Sequence, residues 1–177
     1  MKNTLFRWQI AGFIFVAAAG TLLHYLYDWT GQSVLAAPFS GVNESTWEHM
    51  KLFFWPMFFF SFIESPAIKP DYPNFWCARL AGILAGLFLI PALFYTYTGA
   101  SGTIVDWINI SIFYLSAAIA NLISGHVLRR SSGRFCLPVL SVAIICLLTA
   151  AFIIFTVFTP QIPLFRDPIT DTYGLLR

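Results

Sequence analysis

From Phe135 to Phe158 the chain carries no charged residue. That stretch is long enough to cross a bilayer core, which takes about 20 predominantly apolar residues. The remainder of the chain cannot bury it in water, because the remainder has the same character. The 177 residues are 58% hydrophobic and only 10% charged, where a soluble domain carries about 25% charge. The sequence therefore predicts an all-α polytopic membrane protein. Five transmembrane helices are expected, near residues 5–27, 45–64, 75–97, 103–128 and 135–158. They form one domain over residues 1–160, and residues 161–177 form an extracytoplasmic C-terminal tail. No length remains for a separate soluble domain.

The ends of these segments carry ordinary boundary chemistry. Ser45-Thr46-Trp47-Glu48 reads as a capping box, with the serine at the N-cap and the glutamate at N3. Pro56 falls inside the second helix and frees a backbone carbonyl, which in lipid needs a partner or water. Ser65-Pro66 is expected to end that helix. Ala78, Gly82 and Gly86 form a small-residue stripe suited to close helix packing, and Ser116, Ala120 and Ser124 form another. Residues 30–42 are too short to span and either dip into the interface or cover what lies beneath. The apolar run at the N-terminus continues to Leu26 without a polar cleavage region, so it is expected to be retained as the first helix.

Charge sets the orientation. With the N-terminus in the cytoplasm, Lys2, Arg7, Lys69, Arg79, Arg129, Arg130 and Arg134 lie inside, and Lys51, Arg166 and Arg177 lie outside. The net charge of +2 includes no patch able to track a phosphate backbone, so the expected partners are membrane lipids and not nucleic acid. Cys77, Cys136 and Cys146 form no CxxC pair, and a buried thiol acts as a small hydrophobe; no disulfide is expected.

Two polar layers interrupt the apolar background. The outer one centres on Asn43-Glu44-Ser45-Thr46-Trp47-Glu48-His49-Met50-Lys51, which leads straight into Leu52-Phe53-Phe54-Trp55-Pro56. His24, Asp28 and Asn109 fall at the same level. Ionisable residues at the mouth of a membrane helix are costly and tend to be functional. The candidate polar or substrate-binding residues are thus His24, Asp28, Asn43, Glu44, Trp47, Glu48, His49, Lys51 and Asn109. His24, Asp28, Glu44, Glu48 and His49 combine imidazole and carboxylate, the donor set of zinc or another first-row divalent ion. The spacing matches no HExxH-type motif. His49 projects about 100° away from Glu48 around the helix, which opposes a site that uses both. The competing reading is structural: Glu48 caps its helix, Asp28 solvates a helix end and His49 pairs with a headgroup or a carboxylate. The inner layer is Glu64, Arg79, Asn121 and His126. Pairing of Glu64 with Arg79 is its default reading, with a gate or proton route as the sharper one.

The run Asn43 to Pro56 resembles the signature of an uncharacterised family of small bacterial inner-membrane proteins sharing an Asn-Glu-Ser-x-Trp-Glu-His motif. The closing Pro163-Leu164-Phe165-Arg166-Asp167-Pro168 with Tyr173-Gly174 resembles the end of such proteins. The resemblance implies a bacterial cytoplasmic-membrane location and gives weight to Glu44–Lys51. It transfers no catalytic role.

Three functions compete. The first is binding or transport of a small substrate through the outer layer, between the first, second and fourth helices, with a homodimer or a partner membrane subunit completing it. The second is a membrane enzyme, metal-dependent or not, acting on a lipid or lipid-linked substrate, with Glu44 or Glu48 as base. The third is a structural subunit whose polar layers only pair charges.

Overall fold

The computed structural model describes residues 2–130 and 136–175. Ser131 to Phe135 and Arg177, including the basic Arg134, lie outside the described residues. Among the described residues five helices run in sequence: α1 (Lys2–Trp29), α2 (Thr46–Ile68), α3 (Phe75–Ser101), α4 (Asp106–Arg129) and α5 (Pro138–Val157), followed by a 3-10 turn at Pro163–Phe165. The all-helical expectation holds, with helix limits shifted by a few residues.

The second helix shows the largest shift. It runs through Pro56 and Pro66 to Ile68 instead of stopping at Glu64. A proline in the last turn removes only one helical hydrogen bond. Ile68 compensates by packing, buried with Leu5, Phe75, Ala78 and Leu128.

Among the described residues four helices, not five, are long and apolar enough to cross a membrane: α1, α3, α4 and α5. The exception is α2, where Glu48, Lys51 and Glu64 interrupt the apolar run. Its surroundings explain why those charges are tolerated. More than half of its residues are buried, and it lies among the other helices. Phe53, Phe54, Trp55 and Met57 form the centre of the core with Val16, Ile83 and Phe113. By contrast, α5 buries only Ser141, Ile145, Phe152 and Thr156. Its other faces carry Val139, Leu140 and Leu147 exposed. Apolar surface of that extent is stable only against lipid or another protein. The coarse architecture is that of a polytopic membrane protein.

Gly82 of the first small-residue stripe meets Ala120 and Ser124 of the second, while Gly86 receives the Phe53 ring of α2, and α3 and α4 form the most extensive helix pair. A Cβ on Gly82 would lie 2.7 Å from the carbonyl oxygen of Ala120, so the backbones touch. Such close approach is what small residues permit in helix pairs.

One expectation is overturned by a covalent bond. Cys77, at the start of α3, forms a disulfide with Cys136, just before α5, with their Cα atoms 5.9 Å apart. The two lie 59 residues apart in sequence, so no spacing rule links them. The α3–α4 hairpin brings its entry and exit to the same end of the bundle, which is what juxtaposes them. Cys146 is free and exposed.

Candidate functional site

The outer layer begins with the turn that precedes α2. The Ser45 hydroxyl accepts the Glu48 backbone N–H at 3.4 Å, so the predicted N-cap forms. The reciprocal half of the capping box does not. The Ser45 N–H is taken by Asn43 Oδ1 at 3.0 Å. The Glu48 carboxylate instead accepts the Val42 N–H at 3.0 Å and pairs with Lys51 Nζ at 2.6 Å. Because α2 starts only at Thr46, Glu44 lies outside the helix and shares no face with Glu48 and Lys51.

Lys51 is fully enclosed, with 0% of its side chain exposed. Its ammonium donates to Ala37 O at 2.8 Å and Thr156 Oγ1 at 3.2 Å, besides its bond to Glu48. All three protons are thus used, which is the condition for keeping an ammonium out of water. The same contacts tie α2 to α5 and to the segment before it. That segment, residues 30–45, covers the start of α2: Trp55 Nε1 donates to Pro38 O at 2.8 Å, and the Ser40 hydroxyl links Leu23 O and the Tyr27 N–H on α1. Trp47 stacks against Phe152 and Phe165, with ring centroids 4.6 and 4.5 Å away. It is a packing anchor between α5 and the tail.

On the other side of the turn, Glu44 lies between two imidazoles. His24 Nε2 is 3.5 Å from one carboxylate oxygen and His49 Nε2 is 3.6 Å from the other. The two rings are 6.1 Å apart. His49 Nδ1 lies 2.9 Å from Ser45 O. A carbonyl only accepts, so Nδ1 carries a proton and donates it, which turns Nε2 toward Glu44.

These side chains border two spaces. A cleft of about 150 Å³ opens between α1, α2 and α4, lined by Thr21, His24, Tyr25, His49, Asn109 and Tyr114 among others. The Thr21 and Tyr114 hydroxyls are hydrogen-bonded at 3.0 Å. A smaller space of about 20 Å³, large enough for about one water, lies beside Glu44, Thr46, His49 and Asn109. His49, Asn109 and Phe113 border both. Asn109 is held by Tyr97, whose hydroxyl donates to its Oδ1 at 2.6 Å.

The structure therefore divides the nine predicted residues. His24, Glu44, His49 and Asn109 come together. Glu48 and Lys51 pair on the far side of α2, as the 100° offset of His49 requires. Asn43 holds the tail, and Trp47 packs beneath it. Asp28 is exposed, and among the described residues its carboxylate has no partner.

The metal expectation is corrected. Among the described residues no group of three or more His, Cys, Asp or Glu is arranged to hold a metal ion. Two of the five proposed ligands are elsewhere, Asp28 in the open and Glu48 neutralised by Lys51. The remaining imidazoles point at the Glu44 carboxylate itself, not at a shared vacant point.

The tail docks on the same turn. Asn43 Nδ2 donates to Gly174 O at 3.1 Å, and the Glu44 N–H reaches Asp167 Oδ2 at 3.5 Å. Asp167 is buried and its other oxygen accepts the N–H groups of Ile169 and Thr170. Further out, the Arg166 guanidinium hydrogen-bonds Asp171 and holds that carboxyl below its usual range.

The inner layer forms in part. Glu64 and Arg79 make a buried ion pair, and the Arg79 guanidinium lies 5.4 Å from the Phe75 ring centre. Gln9, which the sequence reading passed over, bridges the layer: its carboxamide lies between Asn121 O and Arg79 Nη2, and the amide orientation that satisfies both groups donates to the former at 2.6 Å and accepts from the latter at 3.3 Å. His126 is exposed and stands apart. Gly20, Thr21 and Tyr114 were also missed. Gly20 and Thr21 lie four and three residues before His24, hence on one face of α1, which is a legible signal.

Comparison with known proteins gives one finding on identity. The chain belongs to a family of unknown function, DUF6512, whose model matches residues 1–175. No curated protein and no solved structure matches it.

Proposed function

With that family as the premise, we propose that the chain is a multi-pass membrane protein that binds or transports a small substrate through the cleft between α1, α2 and α4. The observation that carries this reading is the placement of Glu44. It lies between two imidazoles, His24 and His49, that line the cleft together with Gly20, Leu52 and Phe113, while the carboxylate itself borders the smaller adjoining space. A few convergent polar groups on a concave apolar surface is the usual makeup of a ligand site. At about 150 Å³ the cleft is smaller than the roughly 300 Å³ of drug-sized pockets, which limits the occupant to a small molecule.

The location is the bacterial cytoplasmic membrane, with α2 as a fifth span shielded by the others and the cleft toward the outer face. The lysine and arginine bias supports this orientation. The Cys77–Cys136 bond works against it, because it lies at the end assigned to the cytoplasm, where thiols are kept reduced. Cysteines introduced at Leu35 and Lys69 separate the two demands. Leu35→Cys should react with an impermeant reagent added outside, and Lys69→Cys should not; the reverse pattern inverts the molecule. Function is tested by Glu44→Gln, which keeps the shape and removes the charge. It should fail to restore the phenotype of a deletion strain while the purified protein melts as the parent does. Full complementation would leave the cluster with a structural role only.

A further inference from the structure

We propose that the cleft between α1, α2 and α4 takes a small uncharged molecule that both donates and accepts hydrogen bonds, a primary carboxamide on a short alkyl chain. This inference names the substrate class of the binding role assigned above and rests on it.

The first argument is charge. Among the described residues lining the cleft there is no Asp, Glu, Lys or Arg. The Glu44 carboxylate borders the smaller adjoining space and is 42% exposed, so water screens it. Lys51 is enclosed and spent on Glu48, Ala37 O and Thr156. His24 and His49 do line the cleft, but each turns Nε2 to Glu44, so any charge they carry is answered there and not by an occupant. A charged occupant would leave water for a wall of Leu52, Ile110 and Phe113, with no opposite charge in the lining to offset the loss. An uncharged occupant is spared that cost.

The second argument is the direction of the hydrogen bonds. The Thr21 hydroxyl donates to Ala17 O at 2.8 Å. A hydroxyl has one proton, so in the 3.0 Å contact between Thr21 and Tyr114 the tyrosine is the donor. Both protons are then used within the protein, and the two oxygens keep only lone pairs. That part of the lining accepts.

Asn109 has the opposite character. The Tyr97 hydroxyl donates to its Oδ1 at 2.6 Å, while the Tyr97 oxygen takes the Val105 N–H at 3.3 Å. Among the described residues Asn109 Nδ2 has no acceptor, so its two N–H groups are free to donate at the cleft.

The lining therefore combines acceptors from Thr21 and Tyr114 with a donor from Asn109. A carboxylate only accepts and an ammonium only donates, so each leaves one of the two unanswered. A primary carboxamide answers both: its oxygen accepts from Asn109, and its N–H groups donate to the two hydroxyl oxygens. Its alkyl chain has Leu52, Ile110 and Phe113 to lie against. The volume of about 150 Å³ keeps that chain short.

The test uses the full-length protein in lipid nanodiscs and four probes of similar size: n-butyramide, 2-pentanone, n-butyrate and n-butylammonium. Binding is read by calorimetry. Butyramide should bind in preference to the other three. The ketone has the shape and the neutrality of the amide but no donor, so it isolates the second argument from the first. Tyr114→Phe should weaken butyramide by about three- to tenfold, the range of one hydrogen bond, and leave 2-pentanone unchanged. Asn109→Leu should weaken both. Asp28→Asn, whose side chain lies outside the cleft, should bind as the parent does. Melting temperatures identify any variant that has lost its fold. Preference for butyrate or butylammonium overturns the inference, and so does a ketone that binds as tightly as the amide or an unchanged affinity in Tyr114→Phe; in each case the cleft remains a binding site. Failure of all four probes overturns it as well, and full complementation by Glu44→Gln then removes the binding role too.

Discussion

Two charged clusters flank the start of α2, and they differ in almost every respect. Glu48 and Lys51 are sealed, with side chains 4% and 0% exposed. Each charge meets a charge, the other two ammonium protons go to Ala37 O and Thr156 Oγ1, and the Glu48 carboxylate also accepts the Val42 N–H. Glu44, His24 and His49 are open, with side chains 42%, 33% and 23% exposed. Their contacts are longer, and one bare nitrogen faces a carboxylate unless a proton intervenes. A satisfied buried cluster fixes a structure, whereas an incompletely satisfied one beside a cleft can exchange what it holds. Sequence proximity hides the contrast, since Glu44 and Glu48 are four residues apart.

The contrast breaks most visibly at Lys51. Lys51→Met leaves Glu48 buried with its charge unmatched, and should cost about 3–5 kcal/mol in a denaturation experiment. The double variant Glu48→Gln/Lys51→Met should recover most of that loss, because the penalty comes from the orphaned charge. A single-variant cost near zero would mean that water reaches the pair.

A smaller effect is expected where the tail meets the turn that carries Glu44. Asp167→Ala removes acceptors from the N–H groups of Ile169, Thr170 and Glu44. A loss of about 1–3 kcal/mol should follow, read as faster proteolytic removal of residues 161–175 with the helices intact. Unchanged protection would show that Trp47 and Phe165 hold the tail without it.

Glu44→Gln should cost under about 1 kcal/mol of stability, as befits a half-exposed ion pair. Under the proposed function its effect falls on activity, and a large drop in melting temperature would move Glu44 into the structural class. The smallest effect is at Asp171→Asn. Arg166 lowers the pKa of that carboxyl, so its contribution is present above the ordinary carboxylate range and fades as the pH falls through its lowered value. The pair is fully exposed, and no resolvable shift in melting temperature is expected at neutral pH.

Much of this was legible in the residues. The helices follow from apolar length, and the α3–α4 contact follows from two stripes of small side chains. The Glu64–Arg79 pair follows from the cost of leaving either alone in an apolar surrounding. The grouping of the outer residues was not legible, and the reason is the loop. Residues 30–45 carry no strong periodicity, yet their path decides that Val42 meets Glu48 and that Ala37 meets Lys51. The metal expectation failed for the same cause: the residue types were right, but the chain turned two of them elsewhere. The Cys77–Cys136 bond depends on where a hairpin returns, which neither cysteine encodes locally.

The central position of α2 bears on how the chain is made. Glu64 lies near the end of the second helix and its partner Arg79 near the start of the third, fifteen residues later in sequence. A nascent chain that has emerged only as far as residue 74 holds the acid without the base. The second helix is therefore poorly suited to enter lipid alone, and becomes neutral at that end only once the third has followed it from the ribosome. On the proposed reading of α2 as a fifth span, synthesis in order delivers α2 first and its shielding afterwards, and α2 and α3 are accepted by the membrane as a pair.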